Sequence, residues 1–369
     1  MTTQDPIVIL SARRTPMGNF NGIFKDTPAP TLGAVAIAAA LKTANISAEK
    51  IDAVYMGCVL SAGLGQAPAR QAALAAGLPQ TVPCVTVNKM CGSGLQTVLL
   101  AMRELSLNKA DIVIAGGMEN MTRAGQTHMM YDGLTNAYDD HLSMGALAEN
   151  CAEKFNFTRE AQDAYAIQSI KRAMQTSEKG LFQAEIAPVL TEVDEGFQKV
   201  NFDKIPNLKP AFKPNGTITA ANASNISDGA AALVLTRLSF AEKNHLKPLA
   251  KIIDDCVVAQ APEWFSTAPI AAIEKLLQKL HWSVNDVDLF EINEAFAVVP
   301  LAAMQALNIP LEKVNVHGGA CVLGHPIGAS GARILTTLIY ALKARQQKRG
   351  VAAICIGGGE AIAIAIEII

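Results

Sequence analysis

The stretch ISAEKIDAVYMGCVL at residues 46–60 has a counterpart in WSVNDVDLFEINEAF at residues 282–296. Each stretch has a serine in second place, a residue that can cap a helix, and continues through an aspartate into a short hydrophobic run. Each then ends in a turn that carries polar residues. The pattern predicts the same supersecondary unit, a capped turn followed by a strand, in the first and last thirds of the chain.

Two further matches support an internal repeat. The segment DIVIAGGMEN at residues 111–120 resembles VAAICIGGGEA at residues 351–361, because in both a strand ends in a glycine turn. The dipeptide VN occurs at residues 87–88 and again at 314–315. Two diverged copies of one βαβαβ unit would explain these matches. The alternative is chance similarity between two α/β segments.

Short β-branched runs alternate along the chain with Ala/Leu-rich stretches of helical period. This alternation predicts an α/β protein built of βα units around largely parallel sheets. The predicted strands include residues 7–10, 54–56, 112–115, 289–292 and 352–356, and the predicted helices lie near residues 32–44 and 270–280.

The stretch 121–226 interrupts this alternation. It is rich in Asn, Asp, Gln, Thr and Lys and contains the proline-dotted run FDKIPNLKPAFKPNGT. We expect an inserted, irregular loop domain there, and a return to the first sheet at ISDGAAALVLT. The predicted organisation is a first half at 1–120 completed by 227–248, an insertion at 121–226 and a second half at 249–369.

The composition excludes several classes of protein. Of 369 residues, 50% are hydrophobic and 17% are charged, which is the balance of a well-buried enzyme rather than of a disordered chain. The formal net charge of −2 provides no broad basic field, so we expect neither a nucleic acid nor a membrane as partner. No run approaches the ~18 consecutive apolar residues of a membrane span.

The cysteines and the N-terminal sequence suggest a reducing compartment. The seven cysteines are odd in number, widely spaced and without a CxxC pair, so we expect reduced thiols and no metal site. The start MTTQDPIVILSARRTP lacks the order of charge and apolar run that secretory signals have. We therefore expect a cytoplasmic protein.

The first candidate for chemistry is Cys91, in VNKMCGSGLQTVLLAM at residues 87–102. The pattern places this thiol between a strand and a helix, at the positive end of the helix, which favours the thiolate. Gly92 and Gly94 would allow a ligand to approach closely. A lone buried cysteine that only fills space is the alternative on this pattern alone.

His325 is the candidate base. It lies in NVHGGACVLGHPIGASGARIL at residues 315–335, where five glycines in a short span and Pro326 predict a tightly folded loop. Imidazole titrates near neutral pH and can accept the proton of a thiol. The alternative is a hydrogen-bonded histidine at a helix start.

Two strand ends carry the remaining candidates. Cys355 ends an apolar strand and is followed by three glycines, whose N–H groups can form an oxyanion-binding turn. Asn293, in EINEAFA at residues 291–297, ends another strand, where ligands of parallel sheets collect. A plain strand-end cysteine and a helix-capping asparagine are the alternatives.

Taken in order, four segments resemble the signature blocks of the thiolase family. They are VNKMCGSGL, NEAFA, GGACVLGHPIGASGARI and CIGGG, and PIVILSARRTPMGNFNG, GQAPARQAAL and GGMENM resemble that family too. The resemblance covers nearly the whole chain. It implies the five-layered α-β-α-β-α thiolase fold, with the two similar halves and a loop domain that binds coenzyme A.

The resemblance also implies a mechanism. Cys91 would attack the thioester of an acyl-CoA while His325 takes the thiol proton, and His325 and a water held by Asn293 would form one oxyanion hole. Cys355 would remove a proton from the Cα of a second acetyl-CoA, and the N–H groups of Cys91 and Gly357 would form a second hole. Coenzyme A is then substrate and product, and no metal or redox cofactor is expected.

Further residues fall where the family contacts pantetheine or the acyl group. The resemblance places Ser224, Phe212, Met144, Ala295 and Phe296 there. For the first three, a capping serine and two core side chains are the alternatives. Phe265 stands where short-chain members have a bulky residue that closes the acyl pocket, so we expect a preference for acetoacetyl-CoA.

The sequence departs from the family pattern at several positions. Ser143 replaces a histidine that is usual before Met-Gly, and the tail reads GGGEA rather than GGGMG, with Glu360 and Ala361. The loop domain is also shortened after Met121, where the family often carries a tetramer-forming loop, and near residues 196–208, where contacts to the nucleotide end of coenzyme A are usual.

Several alternatives stay open at this point. A broader-chain thiolase of fatty-acid degradation would share all the signature blocks. A ketoacyl synthase shares the fold but would lack Cys355, and a non-catalytic acyl-CoA-binding protein would have lost Cys91 or His325. The expected partners are acyl-CoA, coenzyme A and a second copy of the chain, as a homodimer or homotetramer.

Overall fold

A computed structural model describes residues 5–124, 142–198 and 200–369 of the chain. Five strands and a two-residue strand form the sheet of the first half, and four strands form the sheet of the second half. The first set is β1 Ile7–Arg14, β2 Gly18–Asn19, β3 Ala53–Gly57, β4 Cys84–Val87, β5 Ile112–Asn120 and β6 Ser227–Arg237. The second set is β7 Ala250–Ala259, β8 Leu289–Ile292, β9 Arg349–Ile356 and β10 Glu360–Ile368.

The helices of the described ranges fall into three groups. The first half contributes α1 Ala29–Ala44, α2 Pro68–Ala75 and α3 Ser93–Ser106. The middle of the chain contributes α4 Met144–Phe155, α5 Arg159–Glu178 and α6 Leu238–Lys243. The second half contributes α7 Ala268–Leu280, α8 Val298–Leu307, the short α9 Ala320–Leu323 and α10 Ser330–Ala344.

The two halves have the same strand order, which confirms the internal repeat. In the first half the order is β4-β3-β5-β6-β1, and in the second it is β8-β9-β10-β7. The counterpart of β4 is reduced to a single parallel bridge between Phe290 and Val314. The halves join where β1 pairs antiparallel with β7, through Val8 opposite Lys251 and Ile9 opposite Ala250.

The prediction of largely parallel sheets is wrong. Among the described strands only β3–β4, β3–β5 and β8–β9 pair in parallel, and the other ladders are antiparallel. The alternation of strands and helices predicts parallel strands joined by crossover helices, but only these three pairs are parallel. β10 follows β9 after three glycines, a connection too short for anything but a hairpin, and β6 also returns antiparallel after the insertion.

The helices and sheets stack in five layers, as the resemblance implies. The central layer is α3 and α10, whose Leu95, Val98, Leu335 and Leu338 share one core with Ile354 and other residues of both sheets. α1 and α2 cover the outer face of the first sheet, and α7 and α8 cover the outer face of the second. Burying each large aliphatic side chain of this kind stabilises the fold by roughly 1.5–3 kcal/mol.

The region between the halves is not wholly irregular. Its two longer helices begin at side-chain caps, Ser143 accepting the N–H of Ala146 and Thr158 accepting that of Ala161. The family often carries a tetramer-forming loop after Met121. In this chain that position leads into residues 125–141, which lie outside the described residues. The boundaries of the three predicted units remain predictions.

Candidate active site

Cys91 lies in a tight turn between β4 and α3. The preceding residue, Met90, has a φ of 45°, and the Ser93 hydroxyl closes the turn by accepting the Lys89 N–H (2.9 Å) and donating to the Met90 carbonyl (2.6 Å). A Cβ on Gly92 would lie 2.4 Å from Cδ1 of Ile356, so glycine lets the Ile356 side chain at the end of β9 pack against the turn. The turn therefore presents Cys91 to the second half.

Burial dominates the chemistry of the Cys91 thiol. It raises the pKa of Cys91 to about 11, while hydrogen bonds from the backbone N–H groups of Gly357 and of Cys91 itself lower it and the nearby Glu119 raises it further. The prediction that the helix end favours a thiolate is therefore wrong for the resting protein, since desolvation outweighs it. A base must remove the proton. The Gly357 and Cys91 N–H groups both act on this sulfur, and their role as an oxyanion hole stays a prediction.

Cys355 ends β9 beside the Cys91 thiol. Burial raises the pKa of Cys355 well above its usual value, and the Cys91 sulfur raises it further. The chain then turns through Gly357–Gly359, where Gly359 has a φ of 89° and a Cβ would lie 2.4 Å from the Gln260 carbonyl oxygen. The two sulfurs, one from each half, are thus neighbours in a buried site.

His325 is held in one tautomer by its neighbours. Its Nδ1 lies 2.5 Å from the Ser330 hydroxyl, which in turn donates to the Pro326 carbonyl at 2.9 Å. Because the single hydroxyl proton is used on Pro326, Ser330 accepts from Nδ1–H, and Nε2 keeps its lone pair. That Nε2 is buried and has no hydrogen-bond partner within the described ranges. Burial lowers the pKa of His325 to about 3, so the ring is neutral and can accept a proton.

Asn293 is buried with both amide atoms unpartnered. Its backbone N–H donates to the Ala353 carbonyl at 2.9 Å, which fixes the residue at the end of β8. Neither Oδ1 nor Nδ2 has a hydrogen-bond partner among the residues that the structure describes. Native proteins rarely leave a buried amide unsatisfied, so a water or a ligand is the natural partner for it.

The predicted contacts of the acyl and pantetheine groups also lie together. Phe296 packs edge-to-face against Phe212 on one side (centroids 5.8 Å apart) and Phe265 on the other (6.3 Å). The Ser224 N–H donates to the Ala295 carbonyl at 2.9 Å. Met144 is buried at the start of α4, and the Phe212 ring covers the next residue, so close to its Cα that a Cβ there would collide.

Two residues near the site were not singled out from the sequence. Ser330 stands inside the quoted GASG run, and its spacing of five residues from His325 was the available signal. Glu119 stands in GGMENM and is buried, where its carboxylate accepts the N–H groups of Leu60 (3.1 Å) and of Val59 and Gly328 (both 3.0 Å). Burial raises the pKa of Glu119 to about 7, against the effect of those bonds.

Glu294, next to Asn293, organises a buried polar network. Its carboxylate accepts hydrogen bonds from the hydroxyls of Tyr165 and Ser169, from the Asn315 amide and from the Cys321 N–H, at 2.8–3.1 Å. This network connects α5 to the strand end that carries Asn293. The orientation of the asparagine is therefore supported by a neighbour whose own acceptors are fully used.

The departures from the family pattern have structural counterparts. Ser143 caps α4. Glu360 begins β10 and forms an ion pair with Lys89, two residues before Cys91. In the described ranges, no helix is long and apolar enough to cross a membrane.

Comparisons with known proteins agree with this geometry. The model of the thiolase N-terminal domain matches residues 7–239, and that of the thiolase C-terminal domain matches residues 246–368. Acetyl-CoA acetyltransferase 2 of Arabidopsis thaliana is 48% identical, with 98% of this chain and 97% of the relative covered. Acetyl-CoA acetyltransferase, mitochondrial, of Rattus norvegicus is 44% identical, with 99% and 92% covered.

A solved structure is similar over the whole length. The Acat5 thiolase of Ascaris suum, in complex with coenzyme A, superposes with a TM-score of 0.95 at 39% identity, covering 99% of this chain and 100% of that one. Together with the two domain matches and the five-layered fold, this similarity settles the family. The chain belongs to the thiolase family.

Proposed function

We propose that the protein catalyses the reversible condensation of two acetyl-CoA molecules to acetoacetyl-CoA and coenzyme A. The observation that carries the proposal is that the buried Cys91 and Cys355 thiols, one from each half of the chain, lie beside each other, while the buried His325 Nε2 and Asn293 amide have no partners among the described residues. The names of the relatives from Arabidopsis and rat, both acetyl-CoA acetyltransferases, support the same reaction.

In the first half-reaction, the Cys91 sulfur attacks the thioester carbonyl carbon. The thiol proton passes to Nε2 of His325, and the oxyanion is stabilised by a hydrogen bond from that ring and by a water on Asn293. The carbon–sulfur bond to coenzyme A then breaks, and the leaving sulfur takes the proton from His325. The products are acetyl-Cys91 and free coenzyme A.

In the second half-reaction, Cys355 acts as the base after its thiol proton has passed to the neutral Nε2 of His325, which returns that proton to Cys355 at the end of the cycle. It takes a proton from the Cα of a second acetyl-CoA, and the resulting carbanion attacks the acetyl carbonyl on Cys91. The N–H groups of Cys91 and Gly357 stabilise the new oxyanion. When the bond to Cys91 breaks, its sulfur takes the proton from Cys355. The raised pKa of Cys355 suits this step, because a weakly acidic carbon needs a strong base.

The cycle uses no metal and no redox cofactor, since these side chains carry every proton and electron pair. Coenzyme A is substrate and product. Metabolite levels set the direction.

The test is intact-mass measurement after rapid mixing with acetyl-CoA. Wild type should gain one acetyl group, and Cys91→Ala should gain none. Cys84→Ala, which changes a half-buried thiol on β4, serves as the matched control and should be acetylated like wild type. Absence of acetylation in wild type, or its persistence in Cys91→Ala, would contradict the proposal.

We propose a short acyl pocket. Phe265 is almost fully buried (1% exposed) against Phe296, so a longer acyl chain would have to displace a packed ring. Thiolysis of acetoacetyl-CoA should therefore be faster than that of a C8 3-ketoacyl-CoA by about 10-fold or more, since a single methylene already changes discrimination by 10–200-fold. Equal rates would favour a broader-chain thiolase.

We propose a cytoplasmic homodimer or homotetramer. The location is supported by a chemistry that needs two reduced cysteines, although the rat relative is named as mitochondrial, so the compartment varies among relatives. The assembly is supported by the edge strand β4, where the hydrophobic Val85 is 47% exposed. Light scattering would measure the number of subunits, and cell fractionation would locate the protein.

A further inference from the structure

The two N–H groups at the Cys91 sulfur belong to different halves of the protein. The Cys91 N–H lies in the turn between β4 and α3, and the Gly357 N–H lies in the turn between β9 and β10. An oxyanion hole works only when its donors are held at a fixed separation. The spacing between these two turns is therefore a quantity that the fold must control.

One ion pair spans these turns. Lys89 lies two residues before Cys91, and Glu360 lies three residues after Gly357, and the Lys89 ammonium contacts the Glu360 carboxylate. Their side chains are 23% and 30% exposed. Both backbones are fixed: Lys89 by its hydrogen bond to Ser93, and Glu360 by pairing with β9 on one side and β7 on the other.

We propose that the Lys89–Glu360 ion pair is a clamp that sets the spacing of the two turns and thereby aligns the oxyanion hole formed by Cys91 and Gly357. Lys89 and Glu360 are then positioning residues. This role rests on the thiolase reaction proposed above. Glu360 is also one of the positions at which the tail departs from the commoner family pattern, so the clamp belongs to this chain rather than to the signature block.

The clamp acts through geometry rather than through its charges. The carboxylate whose charge raises the pKa of the Cys91 thiol is Glu119. A half-exposed ion pair also contributes little to overall stability. A displacement of 1 Å in a reacting group, by contrast, can lower a rate by about 10²-fold. Loss of the pair should thus change the rate more than the stability.

A charge-swap experiment tests the clamp. Lys89→Glu and Glu360→Lys are prepared singly and together, and kcat and KM for acetyl-CoA are measured with melting temperatures. Each single variant should lower kcat by about 10–100-fold with little change in KM, as expected for a displaced hole. The double variant should return to within about threefold of wild type, which is the signature of a pairwise interaction.

The chain offers a matched control. Among the ion pairs of the described residues, Arg103–Asp255 also joins the first half to the second, but from the opposite end of α3. Arg103 is ten residues beyond Ser93, about 15 Å along the helix. Arg103→Gln and Asp255→Asn should leave kcat unchanged.

A second measurement tests the clamp even if the charge-swap variants do not fold. Salt screens half-exposed charges, so the wild-type kcat at saturating acetyl-CoA should fall between 50 mM and 500 mM salt, while that of Glu360→Gln should be low and nearly independent of salt. The clamp would be overturned by wild-type kcat in the single variants, by a change confined to KM, by an unrescued double variant, or by equal salt dependence in wild type and Glu360→Gln. Acetylation of wild-type Cys91, measured separately, keeps these outcomes distinct from a failure of the proposed function.

Discussion

The two halves share a strand order but differ in how they use their buried polar groups. In the first half, Asn120 ends β5 with every atom partnered: its amide N–H₂ donates to the Phe24 and Thr27 carbonyls, and its oxygen accepts the Arg123 N–H. In the second half, Asn293 ends β8 with both amide atoms unpartnered. Asn120 therefore has a structural role, whereas the Asn293 side chain is available to bind a water or a ligand.

The acid and base groups show the same difference. The Glu119 carboxylate of the first half accepts hydrogen bonds from three backbone N–H groups, one of them that of Gly328 in the His325 loop. His325 of the second half leaves Nε2 free. An unmade buried hydrogen bond destabilises a protein by about 1–3 kcal/mol, so such atoms persist where a substrate will use them. The first half supplies the Cys91 thiol and keeps its other buried polar groups partnered, whereas the second half supplies the groups that have unpartnered atoms, His325 and Asn293.

The largest expected effect separates the two sulfurs. Cys355→Ala should still form acetyl-Cys91 but should lose condensation by about 10²–10⁴-fold, the usual contribution of a general base. Intact mass follows the first step, and acetoacetyl-CoA formation follows the second. Cys256→Ala, a half-buried thiol on β7, is the control. Loss of acetylation in Cys355→Ala would mean that the sulfurs do not act in sequence.

The asparagine pair offers the sharpest test of the contrast. Asn293→Ala should lower kcat/KM by about 10²–10³-fold, as for loss of an oxyanion donor, with little effect on stability because no protein hydrogen bond is broken. Asn120→Ala breaks three hydrogen bonds of about 1 kcal/mol each, so it should lower the free energy of unfolding by about 3 kcal/mol and leave the chemistry intact. Urea unfolding and kinetics would decide. Similar profiles for both variants would remove the distinction.

A smaller effect is expected at Ser330. Ser330→Ala removes the group that fixes Nδ1 of His325, so the ring can turn and expose the wrong tautomer. We expect acetylation of Cys91 to slow by at most about 10²-fold. Ser330→Thr, which keeps the hydroxyl, is the control in rapid-quench measurements. An unchanged rate in the alanine variant would show that the ring is held by packing alone.

The smallest expected effect is that of pH. Burial lowers the pKa of His325 to about 3, so the neutral ring persists as the pH falls and is lost only below about pH 4. In Glu119→Gln, which removes a carboxyl whose pKa of about 7 falls in the same range, the kcat/KM for acetoacetyl-CoA should therefore be nearly flat from about pH 7 to 5.5. A histidine with an ordinary pKa near 6.5 would lose about tenfold over that range. An acid limb near pH 6.5 would show that the base is more solvated than the structure indicates.

Much of this arrangement could be predicted because it depends on local pattern and order. The strand ends that carry Asn293 and Cys355, the turn before α3 and the repeat itself all follow from short segments. The layered fold and the family follow from the order of four motifs. The assignment of catalytic roles remains a prediction that the experiments above address.

Other features depend on partners that are distant in sequence. Glu360 stood out as an unusual residue, but its partner Lys89 could not be identified, because an ion pair 271 positions apart follows from tertiary packing alone. The state of Cys91 was misjudged for a related reason. A helix end is visible in a sequence, whereas the desolvation that outweighs it is not. The antiparallel return of β6 was hidden behind the long insertion.

The place of β6 in the first sheet has a consequence for synthesis on the ribosome. β6 lies between β5 and β1, so the first sheet cannot close until residue 237 has been made, although β1 ends at residue 14. At about 5–20 residues per second, that interval lasts roughly 10–45 s, during which the unpaired edges of β1 and β5 can join other chains. The nascent protein should accordingly depend on chaperones until the insertion has been translated, and slowing translation within 121–226 should increase its aggregation.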